Sequence, residues 1–161
     1  MKSGAKCDLV MKKMVGYMLT WTTYGSWLQG DDRGYVKNGK VLAVNVGLRQ
    51  VNMLAQKAKA VKLNQKEQKI VRSAILSEAE NLDQKICAIA VHSNHVHIVL
   101  NPIARPISKI LSHYKNATRL ALEANGFVGK LWTKGYDKRY CFNEDELKSK
   151  IDYVRKHNQN C

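Results

Sequence analysis

Three histidines, His92, His95 and His97, fall within six positions of the most apolar stretch of the chain, AVHSNHVHIVL. Neutral imidazoles are ready ligands for divalent metal ions. In an extended segment side chains alternate between faces, so His95 and His97 share one face while Val96 and Ile98 share the other. Two imidazoles so placed can hold one ion between them, but two ligands do not close a site. A third must come from elsewhere, with open positions left for water or substrate, as a catalytic metal site requires. His92 stands across the Ser93-Asn94 turn and reads as a turn or surface histidine. The plainer alternative for the pair is a solvated strand face that holds nothing.

A second set of residues lies near the end of the chain. Leu147, Ile151 and Val154 recur at helical spacing and form an apolar stripe that should face a sheet. Tyr153 and His157 are four residues apart, stacked on one face of the same helix at the flank of that stripe. Tyr153 is therefore placed at the margin of the core, with His157 one turn on and Asn158 as a weaker candidate ligand. A boundary aromatic with a packed ring and a wet hydroxyl is the plainer reading of Tyr153.

These sets must be positioned by the elements around them. Residues 14–25 are rich in aromatic and β-branched types and read as a strand. Asn38-Gly39 between apolar residues predicts a small ribbon over 34–43. Helices are expected over 46–60 and 64–82, the second with Asn64 as N-cap and Glu67 completing a capping box. Residues 86–91 and 95–100 read as two strands of a tight antiparallel hairpin. Residues 105–126 read as a helix with Pro106 in its first turn and Gly126 as its stop. A strand-like segment interrupted at Gly135 follows. The last helix is capped by Asn143, with Glu144, Asp145 and Glu146 in its first turn, where they suit the helix dipole. The order predicts an α+β protein: a ferredoxin-like antiparallel sheet with helices packed on it and an added C-terminal helix carrying Tyr153. One domain over 1–161 is expected, with 1–13 as a flexible N-terminal segment.

Composition narrows the partners. Among 161 residues there are 27 Lys and Arg against 13 Asp and Glu, a formal net charge of +14. Such an excess concentrates anions and favours nucleic acid. No apolar run approaches the roughly 20 residues that span a bilayer, so no membrane partner is expected. The start of the chain lacks an apolar signal segment, and a cytoplasmic location, nucleoid-associated when bound to DNA, is the expectation. The four scattered cysteines form no Cys-x-x-Cys pair and read as free thiols.

At this point the residues carry a resemblance. YMLTWTTYGSWLQGDDRGYV, AVHSNHVHIVL and LWTKGYDKRYCFNEDELKSKIDYV, in this order and spacing, resemble the IS200/IS605-type (Y1) transposases of the HUH superfamily. They are similar in particular to the tyrosine transposase relatives associated with repetitive extragenic palindromes. The resemblance runs from about residue 16 to 158. It implies His95 and His97 as metal ligands and Tyr153 as the single nucleophile. It implies the polar residue one turn later as third ligand. That residue is His157 here, where part of the family carries Gln or Asn, and Asn158 stays open as the alternative. It implies Mg2+ or Mn2+ as cofactor, with imidazole donors suiting Mn2+ better. It further implies cleavage and rejoining of single-stranded DNA with hairpin structure through a 5′-phosphotyrosine. Whether a second copy completes the site, as a homodimer, is left open. For the DNA itself the candidates are Lys109, Lys115 and Arg119 after the hairpin, and Lys134, Lys138 and Arg139 before the last helix. Trp27 is the leading base-stacking candidate, with Trp132 behind it and Trp21 expected in the core. The competing class is a catalytically inactive, transposase-derived nucleic-acid-binding protein.

Overall fold

The structure is a computed structural model that describes residues 14–26 and 60–159. Its elements in chain order are β1 (Gly16–Thr22), α1 (Gln65–Asn81), β2 (Ile86–Val91), β3 (His95–Leu100), α2 (Ile107–Ala124), β4 (Asp137–Cys141) and α3 (Glu144–Gln159). The ribbon expected over 34–43, the helix over 46–60 except Ala60, the segment 1–13 and Trp27 lie outside the described residues.

Local chemistry accounts for the boundaries. At α1 the Asn64 Oδ1 accepts from the Glu67 N–H at 2.8 Å, while Glu67 Oε1 accepts from the Asn64 N–H at 2.9 Å. This capping box satisfies two of the donors a helix start leaves open. At α3 the Asn143 Oδ1 accepts from the Glu146 N–H at 2.8 Å, and Glu146 Oε1 accepts from the Phe142 N–H at 2.7 Å. Pro106 is the N-cap of α2, one residue before its first turn. The segment before β4 is split. Trp132 makes an isolated bridge to Thr23, Gly135 turns the chain at φ +95°, and pairing resumes at Asp137.

The strands form one antiparallel sheet in the order β2-β3-β1-β4. With α1 and α2 between them, this is the β-α-β-β-α-β arrangement extended by α3. The two faces are filled differently. On one, Tyr17, Leu19, Trp21, Ile89, Val96, Ile98 and Leu100 pack with Val71 and Ile75 of α1 and Ile110, Leu111 and Tyr114 of α2. On the other, Met18, Ala88, Ala90 and Val99 pack against Val154, Leu147 and Ile151 of α3. His97 and Thr20, partners in the β1–β3 register, belong to this second face and are both buried. α3 is thus the layer that covers the strand face bearing His95 and His97.

The close approach of α3 depends on Gly16. A Cβ there would stand 2.7 Å from Leu147 Cδ1 and 3.0 Å from the Leu100 carbonyl oxygen. Gly16→Val is expected to destabilise the protein by about 1–3 kcal/mol through overpacking. It should also lower any activity that depends on the placement of α3. Denaturant unfolding checks it, and an unchanged midpoint would contradict this account of how α3 meets the sheet.

Candidate active site

The histidine cluster is built by one hairpin. The Ser93-Asn94 turn is tight enough for the His92 N–H to donate to the His95 carbonyl at 2.8 Å. Residues opposite each other in an antiparallel pair point to the same face. His92 therefore joins the face of His95 and His97. Its ring stacks on His95 with centroids 4.3 Å apart, and lies 5.9 Å from His97, while His95 and His97 are 4.7 Å apart. One nitrogen from each of the three lies within 4.8 Å of the others. His92, expected as a turn or surface histidine, is half-buried next to the turn and lies beside the pair. The two-residue turn is the signal in the sequence that pairs positions 92 and 95.

Two neighbours orient the rings. Asn94 Oδ1 lies 2.7 Å from His95 Nδ1. A carbonyl oxygen only accepts, so His95 Nδ1 carries the proton and Nε2 keeps its lone pair. Thr20 Oγ1 lies 2.8 Å from His97 Nδ1, a buried hydrogen bond across the β1–β3 pair. A hydrogen bond at the remote nitrogen is what fixes tautomer and ring direction in metal-bound histidines. Asn94 and Thr20 fill that place here, and spacing alone does not reveal Thr20. The donor set fits a divalent ion that accepts imidazole nitrogen.

α3 brings its own groups to the cluster within the same chain. The Tyr153 ring lies 5.7 Å from His97 and 4.1 Å from His157. The His157 ring is 5.2 Å from His97 and 5.9 Å from His92. His157 Nδ1 is 3.1 Å from the Tyr153 carbonyl oxygen, so its Nδ1–H donates and Nε2 remains an acceptor. Tyr153 is 43% exposed, which leaves it open to a substrate. Asn158, one residue on, is exposed.

The basic candidates divide into two groups. Lys109, Lys115, Arg119 and Lys134 line one groove between α2 and the 130–134 segment, joined by Lys130, which sequence reasoning did not single out. Lys115 is partly committed to holding that segment: its ammonium donates to the Thr133 and Gly135 carbonyls at 2.9 and 2.8 Å. Arg119 pairs with Glu123 at 3.0 Å. Lys138 and Arg139 lie on β4, where alternation sends them to opposite faces. Lys138 reaches over the Tyr140 ring and Arg139 pairs with Asp137 at 3.1 Å. Trp132 is not placed to stack on a base. It is buried edge-on against Trp21, with its indole N–H donating to Thr118 Oγ1 at 2.9 Å. Trp21 is in the core, as expected. Among the described residues Cys87 and Cys141 are free thiols, and no helix is long and apolar enough to cross a membrane.

The cluster has a pH signature in the metal-free protein. Burial, then repulsion from His92 and His157, holds His95 down to about 4. Burial, then His95, His157 and His92, holds His97 down to about 3. His92 is lowered by burial and by His157. In the unfolded chain histidine titrates near 6.5. Below that value the unfolded state therefore binds more protons than the folded one, and stability falls as the pH is lowered. In chelator, the unfolding midpoint should hold steady above pH 7 and drop from about 6.5 toward 4, with a shallower drop in His97→Gln. Denaturant melts across this range check it, and a midpoint that rises on acidification would contradict it.

Comparison with known proteins places this geometry. The solved structures include the REP-associated tyrosine transposase bound to a REP hairpin. It matches at 13% identity and TM-score 0.52, over 87% of this chain and 64% of its own. The chain thus spans somewhat under two thirds of that protein's length. A candidate transposase from Deinococcus radiodurans R1 matches at 14% identity and TM-score 0.46, over 90% of this chain and 92% of its own. No curated protein matches. The family model described as "Transposase IS200 like" matches residues 48–157, more than half of the sequence and inclusive of every histidine and tyrosine of the cluster. The chain belongs to the IS200-like transposase family.

Proposed function

We propose that this protein is a metal-dependent single-stranded DNA endonuclease and strand transferase in which Tyr153 is the nucleophile. The observation that carries the reading is the seating of the Tyr153 ring, half-exposed, against His97 and His157 on the sheet face that bears the histidine cluster. The Tyr153 phenolic oxygen attacks the phosphorus of a phosphodiester. The bond from phosphorus to the 3′ oxygen breaks, the 3′ oxygen takes up a proton, and the 5′ side stays on the protein as a phosphotyrosine. Because the ester is exchanged and not hydrolysed, a 3′-hydroxyl can reverse the step and join strands.

A protonated phenol is a weak nucleophile toward a phosphodiester. A divalent ion at His95 and His97, Mg2+ or Mn2+, would neutralise charge on the phosphate and orient it. His157, one turn beyond the tyrosine, is the helix residue near enough to assist, by ligation or by accepting the phenolic proton at Nε2. α3 holds the phenol beside the cluster through its apolar stripe. No second copy is needed to bring these groups together.

The substrate class in this reading is single-stranded DNA carrying a hairpin, since a protein of the same fold is seen with a REP hairpin. The groove lined by Lys109, Arg119, Lys130 and Lys134 is the proposed seat of the DNA backbone. A cytoplasmic, nucleoid-associated location belongs to the same reading.

Incubation with labelled hairpin-bearing single-stranded DNA and Mn2+ is expected to give a protein–DNA band that survives denaturation. Chelator should suppress it and Tyr153→Phe should abolish it. Adducts that persist in Tyr153→Phe would overturn the assignment. The double variant Lys109→Ala, Lys134→Ala should weaken single-strand binding. Its log–log salt slope should be shallower by about 1.4, at roughly 0.7 for each phosphate no longer neutralised. Filter binding across salt concentrations checks this, and an unchanged slope would remove the groove from the DNA path.

A further inference from the structure

We propose that the outer strand of the sheet carries a stacking platform for unpaired bases, formed by Tyr136, Tyr140 and Phe142. The inference deepens the reading of this protein as one that acts on single-stranded DNA, and it rests on that reading for its ligand. The tryptophans of the described residues do not supply such a surface, since Trp21 and Trp132 are both buried. The exposed aromatics there are Tyr153, beside the histidine cluster, and Tyr136, Tyr140 and Phe142, at 37%, 40% and 42%.

Alternation puts the last three on one side of the sheet. In the β1–β4 register Tyr140 stands opposite Tyr17 and Lys138 opposite Leu19, and Tyr17 and Leu19 belong to the α1–α2 core. The helices cover β1 and stop short of β4: Tyr17 is 1% exposed where Tyr140 is 40% exposed. Phe142 continues the row, its ring centroid 6.0 Å from that of Tyr140. β4 is the last strand in the sheet order, so no described strand flanks the row on its outer side. Aromatic rings left in water in one row mark a contact surface.

Charge and place name what the rings contact. Lys138 stands between the two tyrosines, its ammonium 5.6 Å from the Tyr140 centroid. The one carboxylate of β4, Asp137, lies on the other face with Arg139. Rings and cations together on an open strand suit a single-stranded nucleic acid, whose bases stack on the rings while its phosphates meet the lysine. A second copy of a chain with net charge +14 is repelled from this surface, whereas an anionic strand is drawn to it. The row also continues the basic groove. Lys115 donates to the Gly135 carbonyl at 2.8 Å, which sets Tyr136 at the end of the wall that carries Lys134. Asp137 in turn pairs with Thr20, whose hydroxyl bonds His97. The platform thus lies along the free edge that a single strand joining the groove to the cluster would round.

The test is fluorescence anisotropy of the full-length protein, in chelator, with a short oligothymidylate and with an abasic strand of the same length. Wild type should bind the oligothymidylate more tightly. Tyr140→Ala and Phe142→Ala should each weaken that binding by about five-fold or more, the scale of one lost base stack, and should narrow the preference over the abasic strand. Tyr140→Phe, which keeps the ring, should bind within about two-fold of wild type, while Tyr140→Leu, which keeps bulk without an aromatic face, should behave as the alanine variant. The log–log salt slope should be unchanged in the ring variants and shallower by about 0.7 in Lys138→Gln. Far-UV circular dichroism establishes that each variant is folded. Ring variants that bind as wild type does would overturn the inference. So would an equal loss on the abasic strand, a wild type with no preference for bases, or a loss that follows the break-up of a dimer in sedimentation. The failures separate: covalent adducts with binding indifferent to the rings sink only this inference. Binding that depends on the rings, with no adduct on DNA, sinks only the nuclease reading.

Discussion

The site depends on how closely α3 lies on the sheet. Leu147, Ile151 and Val154 meet a strand face made of Met18, Ala88, Ala90 and Val99, with Gly16 beneath Leu147. Alanines and a glycine at those positions let the helix approach until Tyr153, at the flank of the stripe, reaches the His97 ring. Larger residues there would raise the helix and withdraw the phenol. A small apolar seam thus sets the distance between two groups more than fifty residues apart in sequence.

The hairpin supplies the other half by conventional strand rules with an unusual content. Its inner face, Val96, Ile98 and Leu100, is fully buried core. That anchorage fixes the register, and the register fixes where the imidazoles point. A one-residue slip would drive His95 and His97 into the α1–α2 core and expose Val96. Thr20 and Asn94 then hold the rings at Nδ1, and the Asn94 oxygen, which only accepts, leaves the lone pair of His95 on Nε2. Burying imidazoles on this face disfavours their protonation, which keeps them in the form that binds metal.

Much of this is legible in the sequence, for identifiable reasons. The hairpin bounds, the capping box at Asn64 and the α3 stripe are readable because each is a local or periodic pattern. The pairing of His95 and His97 follows from alternation alone. The place of His92 beside the pair does not follow from it, because alternation along one strand says nothing across a turn; the register of the hairpin puts 92 opposite 95. Trp132 is misread because its burial comes from Trp21 and Thr118, distant in sequence. Lys115 looks like its neighbours in the chain, yet it tethers the 133–135 backbone. The groove is not legible as a groove, since its two walls, α2 and residues 130–134, meet only through the fold. The pairing of Thr20 with His97 likewise needs the strand order.

The claim at the centre is that the phenol of Tyr153, and no other side chain, takes the DNA. The direct measurement is mass spectrometry of the tryptic peptides after reaction with a hairpin-bearing single strand and nuclease trimming. The account predicts a nucleotide on the peptide Ile151-Asp152-Tyr153-Val154-Arg155, linked through the tyrosine. A nucleotide on a peptide containing Tyr136 or Tyr140, or cleaved DNA with no modified peptide at all, would contradict it.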